Sequence, residues 1–285
     1  MSRIAVSSWA LHRVLSASYP DSPAHGPQPK AIHAPSEMPL LALPGELRRR
    51  DYDRLELCHF HLPSRDSAYL SELQAVLAAS SITLQTLLID EGDPSDPVTG
   101  KRDSDYWIAG WIDTAAALGA QGARIIAGKQ PWSDETFEAS AHNLARLARQ
   151  ASERGVRARI ENWFDLLDTP ERVHALLDRL GGQVGLCLDF GNWRGGNKYE
   201  QLARIAGRAE TCHAKAEFLN PSTLDEADFG RCLDLMEAAG YAGPYVIVNG
   251  GKGEDDWAGV ALQRKFIEVR AGAAGKGNAV DVGTA

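Results

Sequence analysis

Between Val156 and Lys215 the chain passes three times through one order: an apolar run, a polar residue at its end, then a helix-length segment. Val156–Ile160 runs into Glu161-Asn162-Trp163, Val184–Leu188 into Asp189-Phe190-Gly191-Asn192, and Ala209–Cys212 into His213-Ala214-Lys215. Strands separated by helices pair in parallel, with right-handed crossovers. The polar residues Glu161, Asp189 and His213 then fall at the carboxyl ends of three consecutive strands. In a sheet closed into a barrel those ends share one rim, where loops rather than core packing set side-chain identity. Two carboxylates and one imidazole suit a divalent ion such as Mn²⁺, Mg²⁺, Co²⁺ or Zn²⁺.

The same alternation extends in both directions. Arg3–Trp9 reads as strand one, Leu55–His61 as strand two, Ile82–Ile89 as strand three and Ala123–Ala127 as strand four. Pro244–Asn249 reads as strand eight, followed by a last helix over Trp257–Val269. Thr169-Pro170-Glu171 is a helix start, with a cap, a proline in the first turn and an acid at the positive end of the dipole. Eight strand–helix units in 285 residues predict a (β/α)8 TIM barrel, a single α/β domain over residues 1–270.

One segment breaks the pattern. Ser16–Pro44 holds seven of the chain's 14 prolines, which excludes helix and inner strand because proline fixes φ and lacks an N–H donor. A loop of this length after strand one is either a lid over the rim or disordered. Residues 271–285, rich in glycine and small residues, are expected to form a disordered tail.

Composition narrows the partners. A formal net charge of −8 argues against nucleic acid, whose phosphates favour basic surfaces. No run of about 18 apolar residues is present to span a membrane, and Met1–Val6 is too short an apolar region for a signal peptide. Cys58, Cys187, Cys212 and Cys232 show no C-x-x-C spacing. A cytoplasmic, disulfide-free protein is expected.

The segments Ile160-Glu161-Asn162, Leu188–Asn192, His213-Ala214-Lys215 and Gly240–Pro244, in this order and spacing, resemble the xylose isomerase-like barrels, or sugar phosphate isomerase/epimerases. The resemblance covers the chain from strand one to about residue 269. It implies Glu161, Asp189 and His213 as metal ligands and Lys215 as a residue facing the same pocket. It also implies a fourth ligand, a strand-eight glutamate, which this chain lacks: Tyr245–Gly251 contains no carboxylate. Asn249 offers only a neutral oxygen there, and Glu254 lies five residues beyond it. The two-glutamate scheme of ketose epimerases therefore cannot operate unchanged.

Other candidates for a substrate pocket are His59 and His61, which would share a face of strand two, and Asn192. Trp163 and Trp193 follow the ligand motifs, and tryptophan faces pack on sugar C–H groups. The resemblance implies a metal-dependent enzyme acting on a sugar, polyol or sugar-derived ketone through an enediolate, as an isomerase, epimerase, lyase or dehydratase. Glu161 or Lys215 would move the proton. The alternatives are a non-catalytic or partner-dependent sugar-binding barrel with a degenerate metal site and, more remotely, an endonuclease IV-type nuclease. The nuclease needs further histidines, whereas Asn192 stands three residues after Asp189.

Overall fold

The structure is a computed structural model that describes residues 3–35 and 37–277. Its eight main strands are β1 (Ile4–Ser7), β2 (Arg54–Cys58), β3 (Thr83–Ile89), β4 (Gly122–Ile125), β5 (Arg157–Glu161), β6 (Gly185–Asp189), β7 (Ala209–His213) and β8 (Tyr245–Ile247). All neighbours pair in parallel and in chain order, and β8 returns to β1. Closure leaves the barrel sheet itself without an edge strand. The main helices are α1 (Leu43–Arg49), α2 (Ser67–Ala79), α3 (Ala109–Ala117), α4 (Asp134–Glu153), α5 (Pro170–Arg179), α6 (Lys198–Ala206), α7 (Glu226–Ala238) and α8 (Asp256–Gly277).

Local chemistry sets the helix starts. Ser133 and Thr136 form a reciprocal capping box at α4, each side chain accepting the other's backbone N–H at 3.1 and 2.9 Å. That satisfies donors which would otherwise be orphaned. Thr169 caps α5, whose Val173, Leu176 and Leu177 are buried against the barrel. Each such side chain is worth roughly 1.5–3 kcal/mol in transfer free energy. At the far seam, Asp256 at the start of α8 accepts from Arg13 Nε at 2.8 Å and Arg13 N at 2.9 Å, tying the last helix to the first loop.

The floor of the barrel is ionic. Arg157 and Arg159 both pair with Glu210, Arg157 Nη2 at 2.6 Å and Arg159 Nε at 3.3 Å. Gly122 and Gly185 make the room: a Cβ on Gly122 would strike the Arg159 guanidinium, and one on Gly185 the Glu210 carboxylate.

Three expectations change. Strand two stops at Cys58, and His59–His61 forms a 3-10 turn, so these histidines do not share a strand face. The proline-rich segment folds against the rim. Ala17–Ser18 pairs antiparallel with Ala31–Ile32, Tyr19 N donates to Phe60 O at 2.6 Å, and Pro44 lies in the first turn of α1. Proline there loses no hydrogen bond, because first-turn N–H groups have no intrahelical partner. Finally, α8 carries helical backbone to Gly277, seven residues into the expected tail, and residues 278–285 lie outside the described residues.

Candidate active site

At the carboxyl ends of the strands lies a cavity of about 330 Å³. Glu161, Asp189 and His213, the last residues of β5, β6 and β7, line it together with Asn192, Trp163 and Lys215. All three strand-end residues are at most 4% exposed. His213 Nδ1 faces Glu161 Oε2 at 3.4 Å and Asp189 Oδ2 at 3.5 Å. Its other nitrogen donates to Glu56 Oε2 at 2.9 Å. A carboxylate behind the imidazole fixes ring orientation and leaves Nδ1 as the nitrogen turned to the cavity.

The carboxylates are held from behind. Asp189 Oδ1 accepts Gly191 N at 2.6 Å, and Asp189 N donates to Asn162 Oδ1 at 2.7 Å. Asn192 Nδ2 donates to Glu161 Oε1 at 2.6 Å. Glu161 Oε2 takes no hydrogen bond but faces Arg124 Nε at 3.1 Å. Arg124, on β4 and 3% exposed, also pairs with Asp90 at the end of β3. Burial alone would raise the Glu161 carboxyl, but the cations of Arg124 and His213 outweigh it and bring it down to about 2. For His213, burial disfavours charge, yet the Cys187 sulfur, Glu161 and Asp189 hold its proton well above the ordinary range.

A divalent ion fits this donor set. Four carboxylates, of Glu56, Asp90, Glu161 and Asp189, gather around Arg124, His213 and Lys215. Glu161 Oε2 is buried and takes no aligned hydrogen bond, and the His213 proton is one that an ion would displace. Among the described residues, Glu161, Cys187 and His213 are a set whose ligand atoms all lie within 4.8 Å of one another.

A sequence profile described as xylose isomerase-like TIM barrel matches residues 45–264. The chain belongs to this family. Among solved structures, an L-ribulose 3-epimerase is 18% identical over 100% of both chains, with a TM-score of 0.72. A xylose isomerase-like TIM barrel protein from Mycobacterium smegmatis, in complex with magnesium, is 16% identical over 96% of this chain and 99% of that one, TM-score 0.65. An AP endonuclease of family 2 from Brucella melitensis is 13% identical over 93% and 99%, TM-score 0.67. At these identities the likeness is one of fold. No curated protein matches the chain.

Within this xylose isomerase-like barrel, several expected pocket residues lie elsewhere. His59 Nε2 meets Asp21 O and its Nδ1 accepts Asp90 N, both at 3.3 Å. His61 bonds Ser8 Oγ at 2.8 Å and His12 at 2.9 Å. Both rings are buried and neither lines the central cavity. Trp193 is buried and donates to Leu167 O at 3.1 Å, so it belongs to the core. Asn249 spends both amide atoms on backbone, on Ala216 O and Gly251 N, and the β8 side of the cavity presents Val248 instead. Glu254 is exposed. Conversely, Glu56, Arg124 and Cys187 are site residues that motif spacing missed. Their signal was a polar residue at an inward position of an apolar strand, where period-2 alternation places it inside the barrel.

Proposed function

We propose that the protein is a metal-dependent enzyme acting on a small sugar, polyol or sugar-derived ketone through an enediolate. The observation that carries this reading is the buried convergence of Glu161, Asp189 and His213 on one cavity, with Glu56 orienting the imidazole. Glu161, Asp189 and His213 would hold the ion. It would supply stabilisation of the charge that develops on adjacent substrate oxygens.

The chain's own groups divide the remaining work. Glu161 and Lys215 are the two groups that would move a proton between the substrate's carbon and oxygen. Lys215 lines the cavity, and Gly191 leaves room for its stem, since a Cβ on Gly191 would lie 2.6 Å from Lys215 Cδ. Trp163 and the exposed indole of Trp9 offer apolar faces for C–H groups. The proline-rich segment 16–44 would act as a lid beside the rim, and ligand should slow its cleavage in limited proteolysis.

The test is metal content. Protein purified without chelators should carry about one divalent ion per chain and catalyse exchange of a substrate C–H proton with solvent deuterium. A second reading, a sugar-binding barrel without turnover, draws on the apolar β8 side, where Val248 and no carboxylate lines the cavity. It predicts a bound ion and sugar binding without any exchange. A nuclease is disfavoured by the net charge of −8.

A further inference from the structure

The family pattern asks for four ligands, and β8 supplies none. A replacement stands one layer down on β6. Residues two apart on a strand share a face, so Cys187 and Asp189 both point into the barrel. The register decides which of them neighbours which ligand. Glu161 is paired with Cys187, while Asp189 is paired with His213. The sulfur of Cys187 therefore lies beside the Glu161 carboxylate and the His213 imidazole, all three ligand atoms within 4.8 Å of one another. The thiol is 1% exposed and in no disulfide. The neighbouring Glu161 Oε2 is buried and takes no aligned hydrogen bond.

We infer that Cys187 is the fourth ligand of the divalent ion, completing a mixed sulfur, nitrogen and oxygen set with Glu161, Asp189 and His213. This rests on the metal-dependent reading above and deepens it. When the sulfur–metal bond forms, the thiol proton leaves to solvent and the sulfur stays as thiolate, so charge and atoms balance. The consequence is selectivity. All-oxygen and nitrogen sets accept Mg²⁺ and Mn²⁺, whereas a thiolate favours softer ions. This site should prefer Zn²⁺ or Co²⁺ to Mg²⁺.

The test uses the full chain, stripped with chelator and reloaded with Co²⁺, Zn²⁺ or Mg²⁺. Co²⁺-loaded wild type should show near-ultraviolet sulfur-to-cobalt charge-transfer absorption. Cys58→Ser should retain it, because Cys58 lines the cavity without belonging to the ligand set. Cys187→Ser should bind Co²⁺ without the band, and its preference for Zn²⁺ over Mg²⁺ should fall by about tenfold or more. X-ray absorption of the Zn²⁺-loaded wild type needs no variant and should find a sulfur neighbour at about 2.3 Å. Bound metal with no sulfur signature overturns the assignment while leaving the metal-dependent reading standing. Failure to bind any of the three ions overturns both.

Discussion

From β4 to β7 the rim carries Arg124, Glu161, Asp189 and His213, all buried and bound into one network of charge. From β8 to β1 the same barrel turns inward Val246, Val248 and Ala5, a small apolar cluster of its own. The two halves meet where His213 is paired with Val246. The difference teaches that chemistry here is one-sided. Charged groups can grip and polarise a substrate from one face, while the opposite face only excludes water and shapes the pocket. Proton transfer from the β8–β1 side meets no carboxylate lining the cavity there among the described residues.

The sharpest way to break this comparison is to remove the cation of the charged half. Arg124→Met leaves Asp90 and Glu161 facing each other's surroundings without their buried partner. Loss of one member of a buried pair costs about 3–5 kcal/mol, measurable by denaturant unfolding; a loss below about 1 kcal/mol would show that the pair is solvated. Next in size is ion binding. Wild type in divalent ion at a hundredfold excess over Kd should gain about 2.7 kcal/mol, seen as a rise in Tm. Asp189→Ala combined with His213→Ala should abolish that gain, and an unchanged rise would place the ion elsewhere.

Acid should act on the charged half and on the histidines after β2 at different pH. His61, in the turn after β2, is brought down to about 3 by burial and by its neighbours His12, His59 and His33. It stays neutral in the folded protein while the unfolded chain takes up a proton below its ordinary 6.5. Stability should thus fall as pH drops from about 6.5 toward 3, by up to about 1.4 kcal/mol per unit. Glu161 has the opposite starting point: its stabilisation is full above 4.5 and is lost only as pH falls toward about 2. His61→Asn should flatten the slope from about pH 6.5 down to about 3 and leave the Glu161 limb toward pH 2 in place. A slope identical to wild type would mean that His61 is protonated in the fold.

The smallest effect is a gain. Wild type should epimerise free ketoses such as fructose or tagatose poorly at C3, for want of a second base. Val248→Glu should raise that rate by about tenfold, well short of the ~10²–10⁴ that a well-positioned base contributes. Strong epimerisation by the wild type would show that the apolar half is no barrier to the second proton transfer.

The barrel and its three strand-end residues were legible because each is announced by a local pattern: an apolar run, then a polar residue, then a capped helix. Thr169-Pro170 and Ser133 cap their helices as their chemistry dictates. What was hidden depends on closure. Glu56 touches His213 across 157 positions of sequence, and nothing in either neighbourhood names the other. Asn249 and Trp193 looked like pocket residues by position, yet backbone groups brought close by the fold claim their polar atoms. His59 and His61 were misjudged because a strand pattern continued one turn too far; the 3-10 turn rotates them apart.

The stagger of the strands has a practical consequence for anyone grafting this centre onto another barrel. Glu161 and Asp189 both end their strands, yet Glu161 is level with Cys187, and the β6–β7 register shifts between Leu186 and Cys187. Counting back from strand ends would therefore copy the residue types and misplace their heights. A faithful transplant must reproduce the offset first, because it decides which side chain of β6 stands at the elbow of the glutamate.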